Sequence, residues 1–476
     1  MTEATASLGL DVHEEEDLLE EFQFYFTGQT SSEDEVHEGT VNSSVFRSER
    51  STSVWENEFS FSPTPFEGLA PAPPEPTSAL FRFVKKNVGE VAAISEALAN
   101  VRVRDNSYRG LISTQRNIPY LKEDDGLDKH KLDVYFPLGA GESLHKLPLV
   151  IHFHGGGWVR GDRRDEFRGA PAVCRHYSKQ GVIAVAPSYR LVDCPGHMED
   201  AVAAVTWTIK HLVTLGANPS TIFLSGHSAG GNIAANLVCG PWLDDILQKY
   251  QVTILGAVCI SGVYSLLNPL GGAYAKIKNK GFDKLYRLQV FGSELDVLVR
   301  HSPVAQLRLM LGEAPYAENQ CKLCNIAYAI SNWIHDRGDD NASSSVGKVS
   351  TASTSVENDD ATNTVESSTV PPTVKSLDSL TTAFLVMNAE SDIGLETDGQ
   401  RFVELLRRVQ STISSGSKNI TPSSSNNNGS AVCGDVPIPQ YHLLPGLGHA
   451  TITLDEKALA IASDFVLSTF QQYMHK

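Results

Sequence analysis

The chain has 476 residues, 41% of them hydrophobic and 20% charged, and carries a formal net charge of −17. That composition suits a globular protein and argues against nucleic acid as a partner, because a polyanion is held by positive potential. The acid excess is local. Residues 1–80 hold 17 acids against two basic residues, which leaves the rest of the chain close to neutral.

Seven cysteines (Cys174, Cys194, Cys239, Cys259, Cys321, Cys324, Cys433) are few for this length and odd in number. Several sit inside apolar runs, so the expectation is free thiols in a reducing compartment rather than a disulfide framework. No stretch approaches the roughly 18 apolar residues of a membrane span. The N-terminus, MTEATASLGLDVHEEEDLLEEF, carries acids where a leader peptide needs basic charge. A soluble, cytoplasmic protein is expected, in which the sequons at Asn42, Asn341, Asn419 and Asn428 are chance matches.

Residues 1–78 read as an acidic tail without a packed core, ending in the Pro-rich PTPFEGLAPAPPEP. Its one apolar patch, Leu18 to Phe26, reads as a sticky stretch of a solvating tail, with a segment that folds on a partner as the alternative. Residues 79–476 read as one domain interrupted by two polar insertions, at about 336–376 and 411–436. Long surface insertions are tolerated because loop-closure entropy grows slowly with length.

The domain alternates strand and helix signals. Short apolar runs at 131–137, 148–154, 181–190, 221–226, 254–261 and 382–389 are typical of buried parallel strands. Between them, Met198, Val202, Val205, Ile209 and Leu212 recur at helical spacing, with Gly216 as a stop. A helix opens just after Ser228, another spans Arg401 to Val409, and Asp455 to Phe470 closes the chain with an acidic start. This order predicts an α/β protein with a doubly wound, mostly parallel sheet.

The sharpest chemical signal is Gly226-His227-Ser228-Ala229-Gly230, directly after a strand and directly before a helix. A Gly-x-Ser-x-Gly pentapeptide there makes a tight turn that forces the serine out of the sheet edge, which marks Ser228 as a nucleophile. Further upstream, His154-Gly155-Gly156-Gly157-Trp158 ends another strand. Consecutive glycines bring bare backbone N–H groups close to developing negative charge, so Gly155, Gly156 and Gly157 with Ala229 are candidates for an oxyanion hole. His154 is expected to anchor that loop rather than act as acid or base.

A serine nucleophile needs a base, and the base needs an orienting carboxylate. His449, in Gly446-Leu447-Gly448-His449-Ala450, falls between the last strand run and the last helix, where the base is expected. His442, the nearest rival, lies within the strand run. The acid should follow the strand at 382–389. Asp392 is favoured, with Glu390 next and Glu396 or Asp398 as helix-start charges.

Taken together, HGGGW followed by VRGDRRD, APSYRL, HMEDAVAAVTWTIKHL and GHSAGGNIA resemble the α/β-hydrolase esterases related to hormone-sensitive lipase and the HGG carboxylesterases. The resemblance spans about residues 105–335, 378–410 and 437–474. Within that clan, SGVYSLLNPL with NKGFDKLYRLQVFG and HSPV is similar to isoprenylcysteine methylesterases, and HGGGW, YRL and GHSAG also suit arylformamidases. The resemblance implies an α/β-hydrolase fold with cap elements, Ser228, Asp392 and His449 as a catalytic triad, and an acyl-enzyme route to ester cleavage. The Ser/Thr-rich insertions and the acidic tail depart from the clan's pattern and lengthen the spacing between Asp392 and His449.

No metal or cofactor is expected, and the lone Cys321-Lys322-Leu323-Cys324 reads as ordinary thiols. The expected partner is a small ester substrate of apolar character, met by the Leu-, Tyr- and Phe-rich segment 264–333. Lys276, Lys278, Lys280, Lys284 and Arg287 read as a solvated helix face, with an acidic substrate or a peripheral membrane surface as the alternative contact. Two non-enzyme readings compete: a catalytically silent hydrolase fold that binds a partner, and a scaffold whose tail and Ser-rich loops matter more than its site. Oligomeric state is not encoded in any of these patterns.

Overall fold

The structure is a computed structural model that describes residues 62–69, 89–121, 126–138, 147–267, 287–315, 374–392, 394–416 and 437–475. The tail patch at 18–26, the four sequons, Cys321, Cys324, Cys433 and the lysines from 276 to 284 lie outside the described residues, as do most residues of both insertions.

Among the described residues nine strands form one sheet: β1 (Thr64–Pro65), β2 (Ile112–Pro119), β3 (Lys131–Pro137), β4 (Leu149–Phe153), β5 (Ile183–Pro187), β6 (Thr221–His227), β7 (Thr253–Ile260), β8 (Ala383–Ser391) and β9 (Gln440–Gly448). Their spatial order is β1-β2-β3-β5-β4-β6-β7-β8-β9. The helices that bear on the site are α1 (Gly89–Asn106), α2 (Ala170–Lys179), α3 (Gly196–Lys210), α4 (Ala229–Cys239), α5 (Asp244–Tyr250), α6 (Leu288–Phe291), α7 (Leu295–Arg300), α8 (Pro303–Met310), α9 (Leu395–Gly416) and α10 (Glu456–Met474).

From β5 through β9 every neighbouring pair is parallel. The expectation of a parallel strand at 131–137 is corrected: β3 runs antiparallel to both β2 and β5. A short buried apolar run carries no mark of strand direction, which is decided by the connections. Alternation along each strand divides the core between the two faces of the sheet. Leu149, Ile151, Ile183, Val185, Ile222 and Leu224 meet α3, α4 and α9 on one face. Val150, Ala184, Phe223 and Val258 meet α2 and α10 on the other.

Two boundaries differ from the sequence reading. Residues 62–69, inside the stretch read as an unpacked tail, dock on the sheet: Thr64 and Pro65 pair with Thr114 and Ser113, and the Phe66 N–H donates to Ile112 O at 2.9 Å. Phe66 is 4% exposed and packs with Tyr108 and Ile112, under a cation–π contact from Arg175. One buried aromatic, main-chain bonds and a few side-chain bonds, such as Leu69 N–H to Asn106 Oδ1, hold this piece, so its Pro-rich composition did not reveal it. The helix expected at 401–409 runs from Leu395 to Gly416 and takes in the start of the second insertion. In its polar end Ser411 and Thr412 donate their hydroxyls to the carbonyls of Arg407 and Arg408, one turn back, so these groups are satisfied within the helix.

Candidate active site

Ser228 stands between β6 and α4 with φ 55° and ψ −117°. A side-chain-bearing residue rarely takes positive φ, and such backbone persists only where its surroundings over-determine it. Here they do. A Cβ on Gly226 would fall far inside contact distance of Gly230 O, and one on Gly230 would strike Phe153 O in β4. The Ser228 N–H is held by Ile260 O on β7 at 2.9 Å. The turn is therefore clamped between the carboxyl ends of three strands, with the serine at the N-terminus of α4.

The structure brings together the three residues singled out in the sequence. Ser228 Oγ lies 3.0 Å from His449 Nε2, and His449 Nδ1 lies 2.6 Å from Asp392 Oδ1. A carboxylate only accepts, so Nδ1 carries the proton and Nε2 is left to take one from the serine. Asp392 is 1% exposed; its Oδ2 accepts from Asn388 Nδ2 at 2.6 Å and from the Ala389 N–H at 3.3 Å. Burial works to raise the Asp392 pKa, but the hydrogen bonds from His449 and Asn388 outweigh it and hold the carboxyl below its ordinary value.

The alternative acids are elsewhere. Glu390 is exposed and accepts from the Gly446 N–H, Glu396 accepts from the Gly394 N–H, and Asp398 accepts from the Tyr264 and Ser265 N–H groups at 2.6 and 3.1 Å. Burial drives the Asp398 pKa up to about 7. His442 sits half-buried within β9, remote in sequence register from the turn that carries His449.

The glycine loop follows β4. Gly156 and Gly157 have φ of 122° and 64°, and a Cβ on Gly156 would strike Arg160 O, so only glycine fits that approach. Gly155 lies against the nucleophile: a Cβ there would be 3.3 Å from the Ser228 Cβ. On the facing side, the Ala229 N–H belongs to the first turn of α4, whose N–H groups have no acceptor within the helix. His154 is buried and stacks on Tyr189 at 4.2 Å. Its Nδ1–H donates to Gly155 O at 2.8 Å while the Tyr189 hydroxyl donates to His154 O at 2.8 Å. Burial pushes the His154 pKa down to about 3, so it stays neutral and anchors the loop.

Several supporting residues were not singled out from sequence. Asn388 holds the acid from within β8. Arg190 makes a forked contact with the buried Asp200, which joins the YRL and HMED motifs and fixes α3 beside the glycine loop. Trp158 is fully buried, edge-on to Phe291 of α6 at 5.0 Å, so the loop and the segment beyond β7 pack together. Among the described residues, no group of three or more His, Cys, Asp or Glu could hold a metal ion, and no helix is long and apolar enough to cross a membrane.

With this geometry in hand, comparison with known proteins is informative. Residues 150–308 match the alpha/beta hydrolase fold family. That stretch has the alpha/beta hydrolase fold. The chain is 31% identical over 204 residues to a kynurenine formamidase of Salmo salar, covering 40% of this chain and 63% of that protein. It is 36% identical over 141 residues to the carboxylesterase NlhH of Mycobacterium tuberculosis, covering 27% of this chain and 42% of that one. A hyperthermophilic esterase from the archaeon Pyrobaculum calidifontis aligns at 16% identity with a TM-score of 0.46, over 84% of this chain and 99% of its own. The chain thus spans less than two thirds of the length of the curated relatives it matches.

Proposed function

We propose that this protein is a serine hydrolase that cleaves carboxylic esters of small to medium apolar substrates through an acyl-enzyme. The observation that carries the reading is the continuous chain Ser228 Oγ, His449, Asp392, at 3.0 and 2.6 Å, beside a glycine loop whose backbone abuts the serine. In this reading His449 Nε2 takes the Ser228 proton as Oγ attacks the ester carbonyl, and Asp392 stabilises the imidazolium that forms. The N–H groups of Ala229 and the glycine loop hold the oxyanion, each donor worth about 100- to 1000-fold in turnover. His449 then protonates the leaving alcohol, and water, deprotonated by the same imidazole, releases the acid. Similarity to carboxylesterases supports the ester reading.

Apolar preference rests on the Leu-, Tyr- and Phe-rich composition of the segment 264–333, of which residues 264–267 and 287–315 are described. Each methylene buried there adds about 0.8 kcal/mol. Formamide cleavage is the second reading, favoured by the similarity to kynurenine formamidase. Labelling of Ser228 by a fluorophosphonate tests the nucleophile and separates an enzyme from a silent scaffold. A kcat/KM panel of p-nitrophenyl esters, an isoprenylcysteine methyl ester and N-formylkynurenine tests the substrate. Esters ahead of the formamide, and apolar acyl groups ahead of charged ones, are expected. The reverse ranking would install the formamidase reading, and no labelling would remove both.

A further inference from the structure

His227, the variable residue of the Gly-x-Ser-x-Gly turn, is buried directly beneath the candidate base. Its Nε2 lies 2.8 Å from His449 O, and the two rings are 4.8 Å apart at 42°. A carbonyl only accepts, so Nε2 carries the proton and Nδ1 is a bare lone pair. That Nδ1 is buried without a hydrogen-bond partner and faces the glycine loop, where a Cβ on Gly155 would come within 2.6 Å of it. Gly155 lacks the positive φ of Gly156 and Gly157, so close approach of the His227 ring and of Ser228 is the physical reason for glycine there. One imidazole thus touches all three parts of the site: it belongs to the turn that carries the nucleophile, abuts the oxyanion loop and holds the backbone of the base.

We propose that His227 is a positioning residue, whose Nε2–H pins the His449 main chain so that the His449 ring spans Ser228 and Asp392. The proposal rests on the serine-hydrolase reading above. The geometry requires a neutral ring, since a charged one would need a second acceptor at Nδ1 and would set a cation against the imidazolium formed during catalysis. Burial supplies that condition by pushing the His227 pKa down to about 3. His449 sits immediately after β9, in a turn with no regular backbone ladder of its own. A side-chain donor is what such a turn needs to keep its geometry, and misplacement of about 1 Å can cost on the order of 100-fold in rate.

The test uses the full chain and p-nitrophenyl butyrate. His227→Leu keeps the volume and loses the donor; His227→Gln places an amide N–H where Nε2 was. The expected result is a 10- to 100-fold fall in kcat for His227→Leu with KM within about threefold, and recovery of most of that loss in His227→Gln. A merely structural role would move KM and kcat together with thermal stability and would show no rescue. Because the Leu variant could lose its fold, 15N-imidazole NMR of the wild type is the second measurement. His227 should show the Nε2–H tautomer and stay neutral from pH 8 to 5; a titrating or Nδ1–H ring overturns the proposal. Wild-type kcat in folded His227→Leu, with Ser228 still labelled by fluorophosphonate, refutes the positioning role and leaves the hydrolase reading standing. A wild type that is not labelled at all removes both.

Discussion

Ser228 occupies backbone that its own side chain disfavours, and that makes an unusual prediction about stability. Ser228→Ala and Ser228→Gly both remove the hydroxyl and the 3.0 Å contact to His449, so that loss cancels between them. They differ in the Cβ. At φ 55° and ψ −117° a Cβ-bearing residue stores about 1–3 kcal/mol of strain that glycine does not. Against this, glycine loses about 0.5–1 kcal/mol more backbone entropy on folding and gives up part of a buried methyl, about 0.5 kcal/mol. With strain near 2 kcal/mol the balance leaves Ser228→Gly more stable than Ser228→Ala by about 0.5–1 kcal/mol. In an ordinary helix or strand the sign is opposite, with alanine ahead by a similar amount. Equilibrium urea unfolding at pH 7.5 reads the difference directly, and calorimetry should show the glycine variant melting about 2 °C higher. Both variants should be inactive toward p-nitrophenyl esters. An alanine variant more stable than the glycine one by about 1–1.5 kcal/mol, the entropy and methyl contributions alone, would show that the turn holds no strain, and the serine's placement would then need another cause.

Asp392→Asn should leave the fold intact and lower kcat by about 1000- to 10,000-fold, because the amide oxygen stays with the Asn388 and Ala389 donors, leaving an NH2 that faces Nδ1, fixes the wrong tautomer and brings no charge to the imidazolium; activity within tenfold of wild type would remove Asp392 from the site. Six buried histidines have depressed pKa values for which burial is the leading cause: His152, His154, His197 and His227 at about 3, His176 and His301 at about 4. Between the unfolded value near 6.5 and these folded values the unfolded chain binds protons the folded chain excludes, so stability falls with pH by up to about 1.4 kcal/mol per unit for each histidine. A urea midpoint that stays constant from pH 7.5 to 5 would contradict that burial. Removing residues 1–61 should leave ester hydrolysis within a few-fold, whereas extending the deletion through residue 69 removes the buried Phe66 and should cost about 2–3 kcal/mol, seen as a lower urea midpoint; equal midpoints would mean that the docked segment contributes nothing.

What could be read from the sequence follows a physical division. Ser228 and the glycine loop were legible because each cause is local: Gly226 and Gly230 are required by clashes within a few residues of the serine or with the adjacent strand, and such needs leave a compact mark. Asp392 and His449 were legible because both lie just past an apolar run, which places them at the carboxyl edge of a parallel sheet without any knowledge of contacts. The same basis ranks Asp392 ahead of Glu390, Glu396 and Asp398 without showing which of them meets the histidine. What sets Asp392 apart is its 2.6 Å contact with His449 Nδ1, supported by Asn388, four residues earlier and inside β8, whose amide reaches Asp392 Oδ2. His227 stayed hidden for the same reason. Its partners, His449 O and Gly155, are separated from it by 222 and 72 positions, and no pattern in one sequence records a contact across that distance. The antiparallel edge was lost because β3 is a short buried apolar run like the parallel strands beside it, and its one buried carboxylate, Asp133, takes an Arg163 donor from a loop 30 residues away. Local rules therefore locate the reacting atoms, while the groups that hold those atoms in register act through the tertiary fold, and it is these groups whose substitution should separate turnover from binding.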